Sequence, residues 1–251
     1  MSDPVTAQEL LDDAAFLSLE HQLHLGEVLG EHSWDVDLAL GRFAFRAAGE
    51  GAGPLLASAP GGELVAERVH LLGTAAPGPR SWLWSWANPS GFGEDTTDLA
   101  RWLRDFGDRH GVTELTRPEV PFAELPGSPQ EPTGAVGVLL DAAKAASRRW
   151  TSYNGDAGGG TRAAFLLDHP GFALPAPSAP RVARVLTERL LGPPLSDARR
   201  AVAAYAGWRG LQQRWEPDHE GVQLSGPQVE VRVSFDELGR IAGVHAQSSP
   251  A

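Results

Sequence analysis

Three tryptophans on alternate positions, Trp82, Trp84 and Trp86 in Ser81-Trp-Leu-Trp-Ser-Trp-Ala-Asn88, constrain this chain more than any other feature. Side chains alternate between the two faces of a strand, so the run predicts a strand with all three indoles on one face and Leu83, Ser85 and Ala87 on the other. An indole buries roughly 200 Å² and carries one N–H that needs an acceptor. Such a row either fills a core beneath helices or lines a groove. Core packing is the simpler reading. The small residues opposite would also let a helix approach that side closely, leaving the Trp82, Trp84 and Trp86 face as the wall of an apolar pocket. Asn88 opens the turn Asn88-Pro-Ser-Gly91 and can bond an indole neighbour, its own backbone or a ligand.

The segments around this strand predict an α+β order rather than an alternating βαβ series. Residues 6–29 carry a helical stripe through Leu10, Ala14, Leu17 and His21, with Gly26 and Gly30 near its end. Trp34-Asp-Val-Asp-Leu38 alternates apolar and acidic residues, and Leu40-Gly41-Arg42 turns it back into Phe43 and Phe45 as a hairpin. Residues 48–62 read as loop and residues 64–73 as a strand. Leu99, Trp102, Leu103 and Phe106 mark a second helix that Gly111 stops. Five prolines between Pro118 and Pro132 predict a domain boundary, dividing an N-terminal domain of residues 1–122 from a C-terminal domain of residues 123–251, unless the two pack as one unit. Beyond it come a small-residue helix over 136–146, two β segments over 149–153 and 162–167, a helix over 181–191, and a helix capped by Ser196. Four strands over 211–215, 222–224, 229–235 and 241–245 close the chain. The expected fold is α+β, with antiparallel sheets and helices packed mainly on one face. The turn Leu238-Gly239-Arg240-Ile241 echoes Leu40-Gly41-Arg42-Phe43, which raises two related subdomains as a reading, although Gly-Arg hairpin turns are common.

The run Trp82-x-Trp84-x-Trp86-Ala87-Asn88, preceded by Leu71-Leu72-Gly73-Thr74, resembles an uncharacterised bacterial family of the domain-of-unknown-function kind. Its members carry a leading helix, a Trp-Asp-x-Asp-Leu strand, here Trp34 to Leu38, and a W-x-W-x-W-A-N strand. The resemblance extends to Phe235-Asp-Glu-Leu-Gly-Arg-Ile241. Ser85 stands where family members usually have Gly or Ala. The resemblance implies membership and no activity.

Composition narrows the function classes. Thirty-two acidic residues against 21 basic ones give a net charge of −11, which disfavours nucleic acid as the main partner and suits a basic protein partner. The chain has no cysteine, which excludes disulfides, thiolate metal sites and a cysteine nucleophile. No run approaches the ~18 apolar residues of a membrane span, and Met1-Ser-Asp-Pro-Val5 lacks the pattern of a secretory signal. A cytoplasmic location without membrane association is the expectation.

The remaining motifs are weak. Glu20, His24 and Glu27 share a helical stripe, but the His-Glu-x-x-His order of zinc enzymes is absent, so no metal site is expected. Gly155-Asp-Ala-Gly-Gly-Gly160-Thr161 lacks the lysine of a phosphate-binding loop and lies between strands, as a hairpin tip would. Ser90 lacks the context of a nucleophile elbow. Asp168 and His169 are adjacent and point apart on an extended chain. Asp35 and Asp37 share one strand face that could take a cation or a basic partner. The expected function is a non-catalytic cytoplasmic interaction or regulatory protein, with no cofactor and with an oligomeric state that the sequence does not set. The alternative is a small-molecule binder or enzyme using the Trp82/Trp84/Trp86 face. Trp82, Trp84, Trp86, Asn88, Asp35 and Asp37 are the candidate binding residues.

Overall fold

The computed structural model describes residues 5–246. The chain divides into two compact units, one built on residues 21–173 and the other on residues 8–20 together with residues from 174 onward. This differs from the expected boundary at residues 122 and 123. The proline-rich stretch lies inside the first unit. Its extended Glu119–Pro121 segment pairs with the Trp strand, and the later strands Ser152–Asp156 and Arg162–Asp168 complete the same sheet.

Helix α1 (Ala7–Leu29) runs through Gly26 and stops where Gly30 takes a φ of 60°. A side chain there is excluded twice over, since a Cβ would also stand 2.3 Å from the Gly51 carbonyl oxygen. Residues 8–20 of α1 belong to one unit and residues 21–29 to the other.

In the first unit, β1 (Gly30–Asp37) and β2 (Arg42–Ala52) form the expected hairpin, with β2 running well into the segment read as loop. After a short helix α2 (Pro54–Ala57), β3 (Glu63–Val65) completes a three-stranded sheet in the order β1-β2-β3. The five-stranded sheet comprises β4 (Arg68–Ala76), β5 (Ser81–Trp84), β6 (Glu119–Pro121), β7 (Ser152–Asp156) and β8 (Arg162–Asp168) in the order β6-β5-β4-β8-β7, every pair antiparallel. Between β5 and β6 come α3 (Glu94–His110) and the short α4 (Thr113–Thr116), and α5 (Pro132–Ser147) precedes β7. Gly111 caps α3 in the left-handed region, as its sequence implies.

Alternation along β4 decides what faces what. Val69 and Leu71 enter a core with Phe43, Phe45, Phe165, Phe172, Leu25 and Leu29. His70, between them, faces the other way, toward α3. The sheet is therefore covered on one face by the aromatic core and on the other by helices.

The second unit holds α6 (Ala179–Arg189), α7 (Ala198–Trp208) and a four-stranded antiparallel meander of β9 (Gln212–Trp215), β10 (Gly221–Gly226), β11 (Val229–Phe235) and β12 (Ile241–Ala246). Val229, Val231, Val233 and Phe235 alternate inward along β11. Asp197, rather than Ser196, caps α7 by accepting from the Arg200 N–H. Ser196 is held instead by buried Asp12, which accepts from its hydroxyl and its N–H. Glu20 is also buried here, accepting from the Tyr205 hydroxyl at 2.9 Å beside Arg209 and Arg181. All four strands of the meander, and both helices, match the sequence reading within a few residues. No helix among the described residues is long and apolar enough to cross a membrane.

Candidate functional site

The polar centre of the first unit is built on β4. Arg68 and His70 lie two residues apart and so share the face toward α3. Strand register puts Asp168 of β8 opposite Arg68, and α3 places Asp98 above them. His70 Nδ1 stands 3.0 Å from Asp98 Oδ1, and Nε2 stands 3.3 Å from Asp168 Oδ2. Each carboxylate is held by an arginine in turn: Arg68 donates to Asp98 at 2.8 Å, and Arg149, just past α5, donates to Asp168. The result is a chain of five groups, Arg68–Asp98–His70–Asp168–Arg149, that ties the sheet to α3 and the end of α5.

With both carboxylates ionised, both His70 contacts are hydrogen bonds only when the ring carries two protons. The His70 bond, with Arg149 behind it, holds the Asp168 carboxyl below the usual carboxylate range despite partial burial that opposes the shift. His70 is fully buried. Asp98 and Arg149 reach solvent and line a cleft of about 240 Å³ with Leu99, Trp102 and Ser147. A second cleft, of about 460 Å³, opens on the other side of Arg68, between the hairpin tip at Leu40 and Gly41 and the first turn of α3 at Asp95 and Thr96.

Trp102 forms the rim. It is 41% exposed, although its helix has a well-defined apolar face. Its ring stacks on Phe106 at 5.6 Å, and Phe106 stacks on His110 at 4.3 Å, an outward ladder at four-residue spacing. Exposed carboxylates flank it at Glu94, Asp95, Asp98, Asp105 and Asp108. Glu94, Asp95 and Asp108 have no ion-pair partner among the described residues.

The arrangement engages both nitrogens of His70 with carboxylates, and the Ser147 hydroxyl donates to the Ala143 carbonyl at 2.6 Å. It is well made for holding α3 and its aromatic rim rigid.

The residues singled out from sequence lie elsewhere. The strand ends at Trp84 and passes into a single 3-10 turn over Ser85–Ala87, so the three indoles do not form one row. Trp82 and Trp84 are fully buried and pack edge to face at 5.3 Å, which leaves them no surface to offer a ligand. Trp86 is half-buried beneath Arg104, whose guanidinium stands 5.3 Å from its ring. The Asn88 side chain accepts from the Ser90 N–H and closes its own turn. Asp37 accepts from the N–H groups of Ala39 and Leu40 in the hairpin turn, while Asp35 lies 3.5 Å from Arg42. None of these six lines the clefts beside Arg68 and His70. His169 points away from Asp168, as expected, and accepts from the Gly171 N–H. His21 stacks on Trp150, and the Gly158 to Gly160 run is the tip of the β7–β8 hairpin.

His70 was missed in the sequence because it sits inside an apolar strand, Arg68-Val-His-Leu-Leu72. A charged residue type within a buried strand was the available signal, and its partners lie 28 and 98 residues away.

The chain belongs to DUF6882, a family of unknown function whose model matches residues 8–170. No curated protein and no solved structure matches the chain.

Proposed function

We propose, for a chain whose family carries no assigned activity, that it is a non-catalytic cytoplasmic interaction protein whose outer α3 face takes a basic segment of a partner. One observation carries this reading: Trp102, 41% exposed, stands between exposed acidic side chains at the rim of a cleft whose floor is locked by the His70 network. A lysine or arginine of the partner would lie over the indole, a cation–π contact worth about 0.5–2 kcal/mol, while other basic residues of the segment meet the uncompensated carboxylates at Asp95 and Asp108. The net charge of −11 would speed its approach.

The small-molecule alternative loses its proposed pocket wall, because Trp82 and Trp84 are buried. The test is a titration with hexa-arginine read by tryptophan fluorescence. Binding should weaken roughly tenfold in Trp102→Ala, through the lost cation–π contact, and in Asp95→Asn/Asp108→Asn. Added salt should weaken it further. Equal binding by wild type and both variants would sink this reading of α3.

A further inference from the structure

The second unit carries a cleft of about 410 Å³ that the α3 reading does not use. Three segments wall it: the end of α6 at Arg189 and Leu190, the Pro193-Pro-Leu195 run into α7, and the β11–β12 turn from Leu238 to Ile241. Each of α6, α7 and the turn contributes one arginine to the lining, Arg189, Arg199 and Arg240.

Arg199 is the most firmly placed. Its Nε donates to the His219 carbonyl at 3.0 Å, and its guanidinium carbon lies 5.2 Å over the Phe235 ring. Its Nη1 presses so close to Gly239 that a Cβ there would stand 2.5 Å away, and Gly239 itself takes a φ of 75°. Arg199 has no carboxylate partner among the described residues. An arginine fixed on three sides, facing a cleft and lacking an acid is unusual in a chain with 11 excess negative charges.

Of the nearby acids, Asp197 lines the cleft, and its carboxylate, which keeps its charge, accepts from the Arg200 N–H. Asp236 binds Arg240 through both side chain and backbone, which hold its carboxyl below the usual range. The first turn of α7 opens on the same space, and its dipole adds a weak positive field.

The other half of the lining is apolar. Leu238 is 76% exposed and Leu190 is 45% exposed, with Pro193, Pro194 and Ile241 beside them. Leucines this open at a hairpin tip and a helix end contribute little to folding. A cleft of this volume suits a small ligand rather than a lone ion.

We propose that this cleft is a binding site for a monomeric amphipathic anion, a phosphate or carboxylate head on a short alkyl chain. The head would be gripped by the outer nitrogens of Arg199, with Arg189 and Arg240 alongside, because the planar guanidinium fork matches either head in a two-bond contact. The chain would cover Leu190, Leu238 and Ile241. The site lies outside the residues that the family model matches.

The experiment is calorimetric titration of the whole protein with octyl phosphate, inorganic phosphate, octanol, and vesicles of phosphatidylcholine containing phosphatidate. Octyl phosphate should bind roughly tenfold or more tightly than inorganic phosphate or octanol, since each of those offers only half of the contacts. Arg199→Gln should weaken octyl phosphate by roughly tenfold or more, and Arg199→Lys should fall between, keeping the charge without the fork. Leu238→Ser, at an exposed tip where folding is not at stake, should weaken octyl phosphate and leave inorganic phosphate unchanged. The proposal is overturned by failure of octyl phosphate to bind, by equal binding to Arg199→Gln or Leu238→Ser, or by binding to vesicles alone.

Discussion

Trp34 of β1 presses on Gly155 of β7 so closely that a Cβ on the glycine would stand 2.2 Å from a ring carbon. The indole also stacks on Phe43 at 5.6 Å and meets Tyr153. Gly155, which reads in the sequence as part of a flexible loop, is thus a strand residue kept free of a side chain by an aromatic neighbour. Gly155→Ala should cost about 1–3 kcal/mol, the usual penalty of overpacking. Trp34→Leu in the same chain should recover part of that loss, because the two changes share one space. Urea midpoints of the two single variants and the double variant check this, and simple additivity would show that the ring is not what excludes the side chain.

Trp84 and Trp82 should differ under the same substitution. The Trp84 N–H donates to the Glu114 carbonyl at 2.9 Å, whereas the buried Trp82 N–H has no partner among the described residues. Trp84→Phe should therefore cost about 1–3 kcal/mol in hydrogen bonding beyond its lost volume. Trp82→Phe loses volume only, and should be the milder of the two. Trp84→Ala should cost about 3–5 kcal/mol, as truncations of buried aromatics do. Equal losses for the two phenylalanine variants in chemical denaturation would show that the Glu114 bond contributes nothing.

Burial pushes both tyrosines of the chain above their ordinary range, and at Tyr205 the neighbouring Glu20 carboxylate pushes further. In the unfolded chain the phenols titrate near their ordinary value of about 10. Above that value the unfolded state releases protons that the folded state keeps, so stability holds below about pH 10 and falls above it. Tyrosinate absorbance of the native protein should stay low through this range and rise abruptly on unfolding. Glu20→Ala leaves Arg181 and Arg209 facing an emptied buried site and should cost about 3–5 kcal/mol, while Tyr205→Phe, which removes one bond to a charged group, should cost about 1.5–3 kcal/mol.

Acid should find the Asp168 network. The folded carboxyl titrates below its unfolded value, so its contribution is complete above about pH 4 and is lost as pH falls through the folded value. Asp168→Asn should be less stable than wild type at neutral pH, and the gap should narrow on acidification. Denaturation midpoints compared at pH 7 and pH 3 test this, and a gap of constant size would show that the carboxylate charge is irrelevant.

Legibility followed range. The hairpin at Leu40-Gly41-Arg42, the helix stopped by Gly111 and the inward valines of β11 are set by local chemistry, and each formed where its residues indicated. The Trp strand was half legible. Trp82 and Trp84 alternate into the core, but Trp86 does not continue the row, because the chain turns at Ser85, whose hydroxyl donates to the Leu71 carbonyl. The proline-rich stretch misled for a related reason. Its prolines shape a local path, but β6 within it pairs with β5 from 36 or more residues earlier, as in the pairing of Leu83 with Glu119.

The sequence by itself determined the α+β class, most of the elements and the acidic balance, because helix periodicity, strand alternation and turn glycines act between residues a few positions apart. Only the tertiary structure decided where the units divide and what the polar residues do. It joined residues 8–20 of the first helix to the C-terminal unit. It set His70 between Asp98 and Asp168, and it left Trp102 at the rim of a cleft and Arg199 in another without an acid. These are contacts across long stretches of chain between elements whose packing no local pattern encodes, and buried charge is tolerated at such places only because the fold supplies its partners.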